Sequence, residues 1–151
     1  MNDKKINKTF RVVALVLVIV LLLPVGAMAA ETRSSLYLDS YSAYMYPAGW
    51  GKVQVWFTVD SVDDMDEIGT LEIQIFESKD NSTWTWVETF EHQDCSDMLI
   101  YNYHHHTGHV EYKGTIGRYY KAYVCIWAGK DGAGDTRYIW TSPKKATLFA
   151  A

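Results

Sequence analysis

From residue 36 onward, apolar and polar side chains alternate in short runs, and no segment shows a sustained period of 3.6. A period of two puts successive side chains on opposite faces of an extended backbone, so this pattern restricts the chain to strands with one buried face. Val53, Val55, Phe57 and Val59 alternate with Gln54, Trp56, Thr58 and Asp60. Leu71, Ile73 and Ile75 alternate with Glu72, Gln74 and Phe76, and Trp84, Trp86, Glu88 and Phe90 with Thr85, Val87 and Thr89. Tyr120, Ala122, Val124 and Ile126 alternate with Tyr119, Lys121, Tyr123, Cys125 and Trp127. Leu36–Met45, Leu99–Tyr103, Val110–Thr115 and Tyr138–Thr141 supply shorter candidates. Turn-forming compositions lie between them: Pro47-Ala48-Gly49, Lys79-Asp80-Asn81-Ser82, and the glycine-rich Gly129–Asp135. Asp60–Gly69 reads as an acidic connection. About seven short strands in some 120 residues predict an all-β domain, an antiparallel sandwich of fibronectin type III or immunoglobulin-like type.

The N-terminus has a different character. Lys4, Lys5, Lys8 and Arg11 precede an apolar run from Val12 to Leu23, then Pro24, Gly26 and Ala27-Met28-Ala29. That order is the basic region, apolar region and small-residue cleavage site of a secretory leader, with cleavage between Ala29 and Ala30. The expected division is a signal peptide over 1–29, with a helical apolar part, and one domain over 30–151 whose core spans about 35–143. The mature chain is expected outside the cell, with no stable membrane anchor. Left uncleaved, the same segment is long enough to tether it.

The whole chain carries 14 Lys and Arg against 18 Asp and Glu; residues 1–29 hold four of the former and one of the latter, so the remainder has a net charge of −7. Such a balance excludes a nucleic-acid binder, which must neutralise phosphates, and docking on an anionic membrane. Cys95 and Cys125 are the two cysteines. Outside the cell they are expected to pair, which would stabilise the fold by roughly 3–4 kcal/mol; the alternative is two independent small hydrophobes.

The hairpin Leu71–Val87, with its Ser78-Lys79-Asp80 turn and Trp84, resembles the third and fourth strands of bacterial fibronectin type III modules. Tyr119–Asp135 is similar to their sixth strand and following loop. Trp56, on the face opposite Val53, Val55 and Phe57, and the cysteine pair both depart from that pattern. Taken whole, the chain resembles small, signal-bearing, Tyr/Trp-rich secreted proteins of Gram-positive bacteria. This resemblance implies secretion and a sandwich, and it implies no activity.

Three features bear on chemistry. His104, His105, His106 and His109 lie within six residues, and His104, His106 and His109 are the candidate ligands of a metal ion; the alternative is a solvated loop between two short strands. The acidic run Asp60–Glu67 offers oxygen ligands for calcium without the helical-loop motif. Trp84, Trp86 and Trp127 are candidates for a stacking platform of the kind that holds sugars, unless they lie in the core. No catalytic constellation stands out, neither a nucleophile elbow nor a Cys-x-x-Cys pair, so an enzyme is not expected. The expected function is a secreted, non-catalytic sandwich module that binds an extracellular protein or glycan, with a carbohydrate-binding aromatic face or a histidine metal site as alternatives.

Overall fold

A computed structural model describes residues 35–150. The leader, with Ala29 and Ala30, lies outside the described residues. Among those described there is no α-helix. Seven antiparallel strands join in one hydrogen-bonded sheet: β1 (Leu38–Gly49), β2 (Lys52–Ser78), β3 (Thr85–Glu91), β4 (Leu99–Lys113), β5 (Tyr119–Lys130), β6 (Ala133–Trp140) and β7 (Lys144–Lys145). A single 3₁₀ turn, Ser96–Met98, precedes β4. The all-β, antiparallel expectation holds. The arrangement departs from the expected pair of facing sheets, because one sheet curls into a half-barrel and buries its own concave side.

The departure traces to β2. The acidic stretch Asp60–Gly69, expected as a connection, is strand. β2 therefore runs unbroken for 27 residues, far beyond the usual five or six or so. Its first half lies between β1 (Ser40–Gly49 against Asp60–Lys52) and β4 (His105–Lys113 against Asp60–Lys52). Its second half lies between β5 on one side (Tyr119–Gly129 against Ser78–Glu67) and β3 on the other (Glu91–Thr85 against Glu72–Glu77). Polar side chains did not prevent this, because the hydrogen-bond ladder on each side satisfies the backbone while the carboxylates face solvent.

Two irregularities bend the long strand. Between Asp60 and Met65 the β2–β4 register slips, with Ser61–Asp64 facing His104 alone. At Leu71 the β2–β5 register slips again, and the Leu71 carbonyl accepts the His92 backbone N–H at 3.1 Å. Leu71 consequently leaves the apolar row, whereas Ile73 and Ile75 are fully buried. Bulges of this kind increase local twist and curl a sheet. Gly69 sits between the two slips, paired with Leu99 of β4 and Trp127 of β5. Its φ is +147°, and a Cβ there would fall 2.1 Å from the Met98 carbonyl oxygen.

The concave face holds Val53, Val55, Phe57, Val59, Ile68, Ile73 and Ile75 of β2 and Tyr120, Ala122, Val124, Ile126 and Ala128 of β5, all fully buried. Each large side chain removed from water contributes about 1.5–3 kcal/mol. The Tyr120 hydroxyl accepts the Thr115 backbone N–H at 2.8 Å and donates to Glu77 at 2.5 Å. Burial first, and this bond to Glu77 second, push its phenol up to about 12. The core runs past the expected boundary at 143. Ala146 is buried in it, and the chain beyond closes one end of the curl through Trp50 N–H to Leu148 C=O at 2.8 Å and Gly51 N–H to Thr147 C=O at 2.9 Å.

The expected disulfide is corrected. Cys95 and Cys125 are both free. Cys95 packs against the concave core, whereas Cys125 sits in the outward row of β5 opposite Tyr138. The sheet itself separates them, and a bridge tolerates Cα atoms no more than about 7 Å apart.

Gly69→Ala is expected to cost about 1–3 kcal/mol in denaturant unfolding, because the new methyl meets backbone that cannot move aside. Gly132→Ala, also at positive φ but with open space around it, should cost less. Thiol labelling in denaturant without reductant should modify both cysteines.

Candidate functional site

The bend in β2 opens a cleft of about 550 Å³ on the outside of the sheet. Its floor is Trp127, and its walls include Asp66 and Glu67 of β2, Tyr101 and Asn102 of β4, and Lys130 of the β5–β6 hairpin. Glu67 is placed by pairing with Tyr101 on one side and Gly129 on the other. The hairpin is tighter than the glycine-rich run suggests. Only Asp131 (φ +53°) and Gly132 (φ +77°) form the turn, the two left-handed positions that an Asp-Gly pair adopts. Gly129 and Gly134 are strand residues. The Trp127 indole lies over both, within 2.6 Å and 2.5 Å of where their Cβ atoms would be.

Hydrogen bonds fix the polar rim. The Trp127 indole N–H donates to Glu67 Oε2 at 3.1 Å. The Asp131 backbone N–H donates to Asp66 Oδ2 at 2.7 Å. Lys130 Nζ meets Asp63 Oδ2 at 3.0 Å, and that bond raises the lysine pKa and lowers that of the aspartate. The cleft lining thus holds two carboxylates, Asp66 and Glu67, and one ammonium, Lys130, whose charge is met by Asp63 and which also senses Asp131 and Asp66. Sequence reasoning singled out Trp127 and the acidic run, but placed them in separate features. Their meeting depends on the bend in β2.

The histidines do not converge. They lie within β4, not in a loop, so they alternate across the sheet. His104 Nδ1 pairs with Asp64 at 2.8 Å, His105 Nδ1 with Asp60 at 2.6 Å, and His106 Nε2 with the Asp97 carbonyl at 2.8 Å. His109 stacks on Trp56 with ring centroids 4.5 Å apart. The acidic run is likewise divided among separate partners. Among the described residues no three His, Cys, Asp or Glu side chains are grouped to hold a metal ion.

The three tryptophans form no single platform. Trp84 lies under Lys121, whose Nζ is 4.6 Å from its ring centroid, and Trp86 bonds Thr89 at 2.9 Å. Trp127 is six residues along β5 from Lys121, about 20 Å at strand rise.

No family model matches the chain, and no curated protein matches it. Among solved structures it is similar to a family 76 glycoside hydrolase from a bovine Bacteroides thetaiotaomicron strain. The likeness has 13% identity and a TM-score of 0.30, and covers 70% of this chain and 20% of that one. At that level neither fold nor chemistry transfers. The expected function, a secreted non-catalytic sandwich module with sugar-platform and histidine-metal alternatives, is corrected: the strands form one curled sheet, the three tryptophans take separate partners, and among the described residues the histidines do not group to hold a metal ion.

His106 is buried, and that burial holds its pKa below the ordinary 6.5, against the opposing bond to Asp97. A folded-state pKa below the unfolded value means the unfolded chain binds the extra proton first. Stability should therefore be full above about pH 6.5 and fall as the pH drops below it. His106→Gln should flatten that slope in urea titrations made between pH 5 and 7, before the carboxylates titrate.

Proposed function

We propose that the protein binds a small organic cation, of the alkylammonium class, in the cleft over Trp127. The observation that carries this reading is the combination of an indole floor with a carboxylate rim in one opening. Aromatic faces attract ammonium groups through the ring quadrupole, by roughly 0.5–2 kcal/mol depending on desolvation. Glu67 already orients the indole through its N–H, which leaves the ring face to the cleft. Tyr101, 61% exposed, stands at the wall as a second aromatic surface. Asp66 and Glu67 supply charge, and the surrounding aspartates steer the ligand inward. The volume falls within the range of roughly 300–1,000 Å³ usual for small-molecule sites. Removal of residues 1–29, as the leader pattern implies, would place this site outside the cell.

Calorimetric titration with tetramethylammonium should give saturable binding that weakens as salt is added. tert-Butyl alcohol, which has the same tetrahedral arrangement of five heavy atoms and no charge, should not bind. Glu67→Gln should weaken tetramethylammonium about tenfold, near 1.4 kcal/mol, and Trp127→Ala should abolish detectable binding. Equal affinity for the two probes, or indifference to Glu67→Gln, would discard the reading.

A further inference from the structure

We infer that β6 is a self-pairing edge, and that two copies of this chain join antiparallel across it with Thr136 on the two-fold axis. Among the described residues β6 pairs with β5 alone, through eight successive residue pairs without a bulge. Natural sheets protect such edges with proline, lysine, bulges or a covering segment. The β6 sequence Ala133-Gly134-Asp135-Thr136-Arg137-Tyr138-Ile139-Trp140 contains no proline and no lysine.

The hydrogen-bond phase of the strand is fixed. The Thr141 N–H donates to the Ala122 carbonyl at 2.9 Å, one step beyond the Tyr123–Trp140 pair. Antiparallel strands alternate between residues that bond their partner and residues whose N–H and C=O point away. Counting back by twos, Ile139, Arg137 and Asp135 bond β5, whereas Trp140, Tyr138, Thr136 and Gly134 present their backbone groups outward; the Thr136 carbonyl accepts Arg137 Nη1 at 2.9 Å within the chain, a bond that Arg137 would exchange for Asp135 of the second copy.

An edge with that phase accepts a second copy centred on Thr136. Thr136 then bonds Thr136 of the other copy, and Tyr138 bonds Gly134. The intervening non-bonded pair is Asp135 against Arg137, the closer type of pair, in which opposite charges are favourable. Centring on Asp135 or Arg137 would instead set like charges face to face, so charge selects the register as the backbone does. Asp135 and Arg137 already lie 3.5 Å apart within one chain, their side chains are about one-third exposed or less, and the second oxygen of Asp135 accepts the Ser35 hydroxyl. Tyr138, 58% exposed, would cover the bare Gly134 of its neighbour, as Trp127 covers it from within the chain. The β3 edge offers no such match. Its Glu88 and Glu91 would repel a second copy.

Sedimentation velocity over a concentration series tests this. The protein should reach a dimer. Arg137→Asp should weaken the dimer about tenfold, and the exchange Asp135→Arg with Arg137→Asp should restore it. Thr136→Pro removes an N–H that faces outward in the monomer, so it should leave the β-sheet circular dichroism intact and abolish dimerisation. A monomer at every loading, or a dimer indifferent to both Thr136→Pro and Arg137→Asp, would overturn the inference.

Discussion

Around Glu67–Gly69, β2 is hydrogen-bonded on both sides at once, to Tyr101–Leu99 of β4 and to Gly129–Trp127 of β5. That double ladder is the constraint on which the rest of the molecule depends. It joins the half of the sheet built on β1 and β4 to the half built on β3 and β5. Gly69 permits it, since the carbonyl of Met98 occupies the space a side chain would need. The flanking register slips at Ser61–Asp64 and Leu71 turn a strand too long for a flat sheet into the spine of a curl.

The two faces of the curl then divide the chemistry. Inside, aliphatic rows of β2 and β5 meet with Phe57, Met98 and Tyr120, and the C-terminal segment closes the end near Gly51. Outside, aromatic and charged residues share the surface. Phe76 and Tyr123 pack against Trp140 in tilted geometry, with ring centroids 5.2 and 4.6 Å from its own, and Lys121 lies over Trp140 at 4.3 Å. The cleft lies where the bend brings the acidic part of β2 beside the β5–β6 hairpin. Its carboxylates cost the fold little, because each faces water or a bonded partner.

The periodic runs made the inward rows legible. Val53 to Val59, Ile73, Ile75 and Tyr120 to Ile126 were identifiable from alternation and are buried in the structure. The joining of those rows was not legible. Asp60–Glu67 has the composition of a loop, and only long-range pairing with β1, β4 and β5 makes it strand, a case of tertiary context overriding local preference. The histidine tract failed for the same reason, since Thr107-Gly108 looks like a turn. In the structure Gly108 is a strand residue whose missing side chain makes room for the Phe57 ring. The cysteine pairing depended on which face each residue takes, and thirty residues of sequence separation carry no such information. Trp127 was identified as a binding residue, but its partners Glu67 and Tyr101 come from strands that only the bend brings together.

The curl of the sheet requires the unbroken course of β2. Nuclear Overhauser contacts of the Gly69 backbone protons test it most directly. Cross-strand contacts are expected from Gly69 to both Leu99 and Trp127, with Met65 contacting Tyr103 in the same spectrum. Contacts to one side only, with Asp60–Glu67 showing the narrow lines of a free loop, would contradict it.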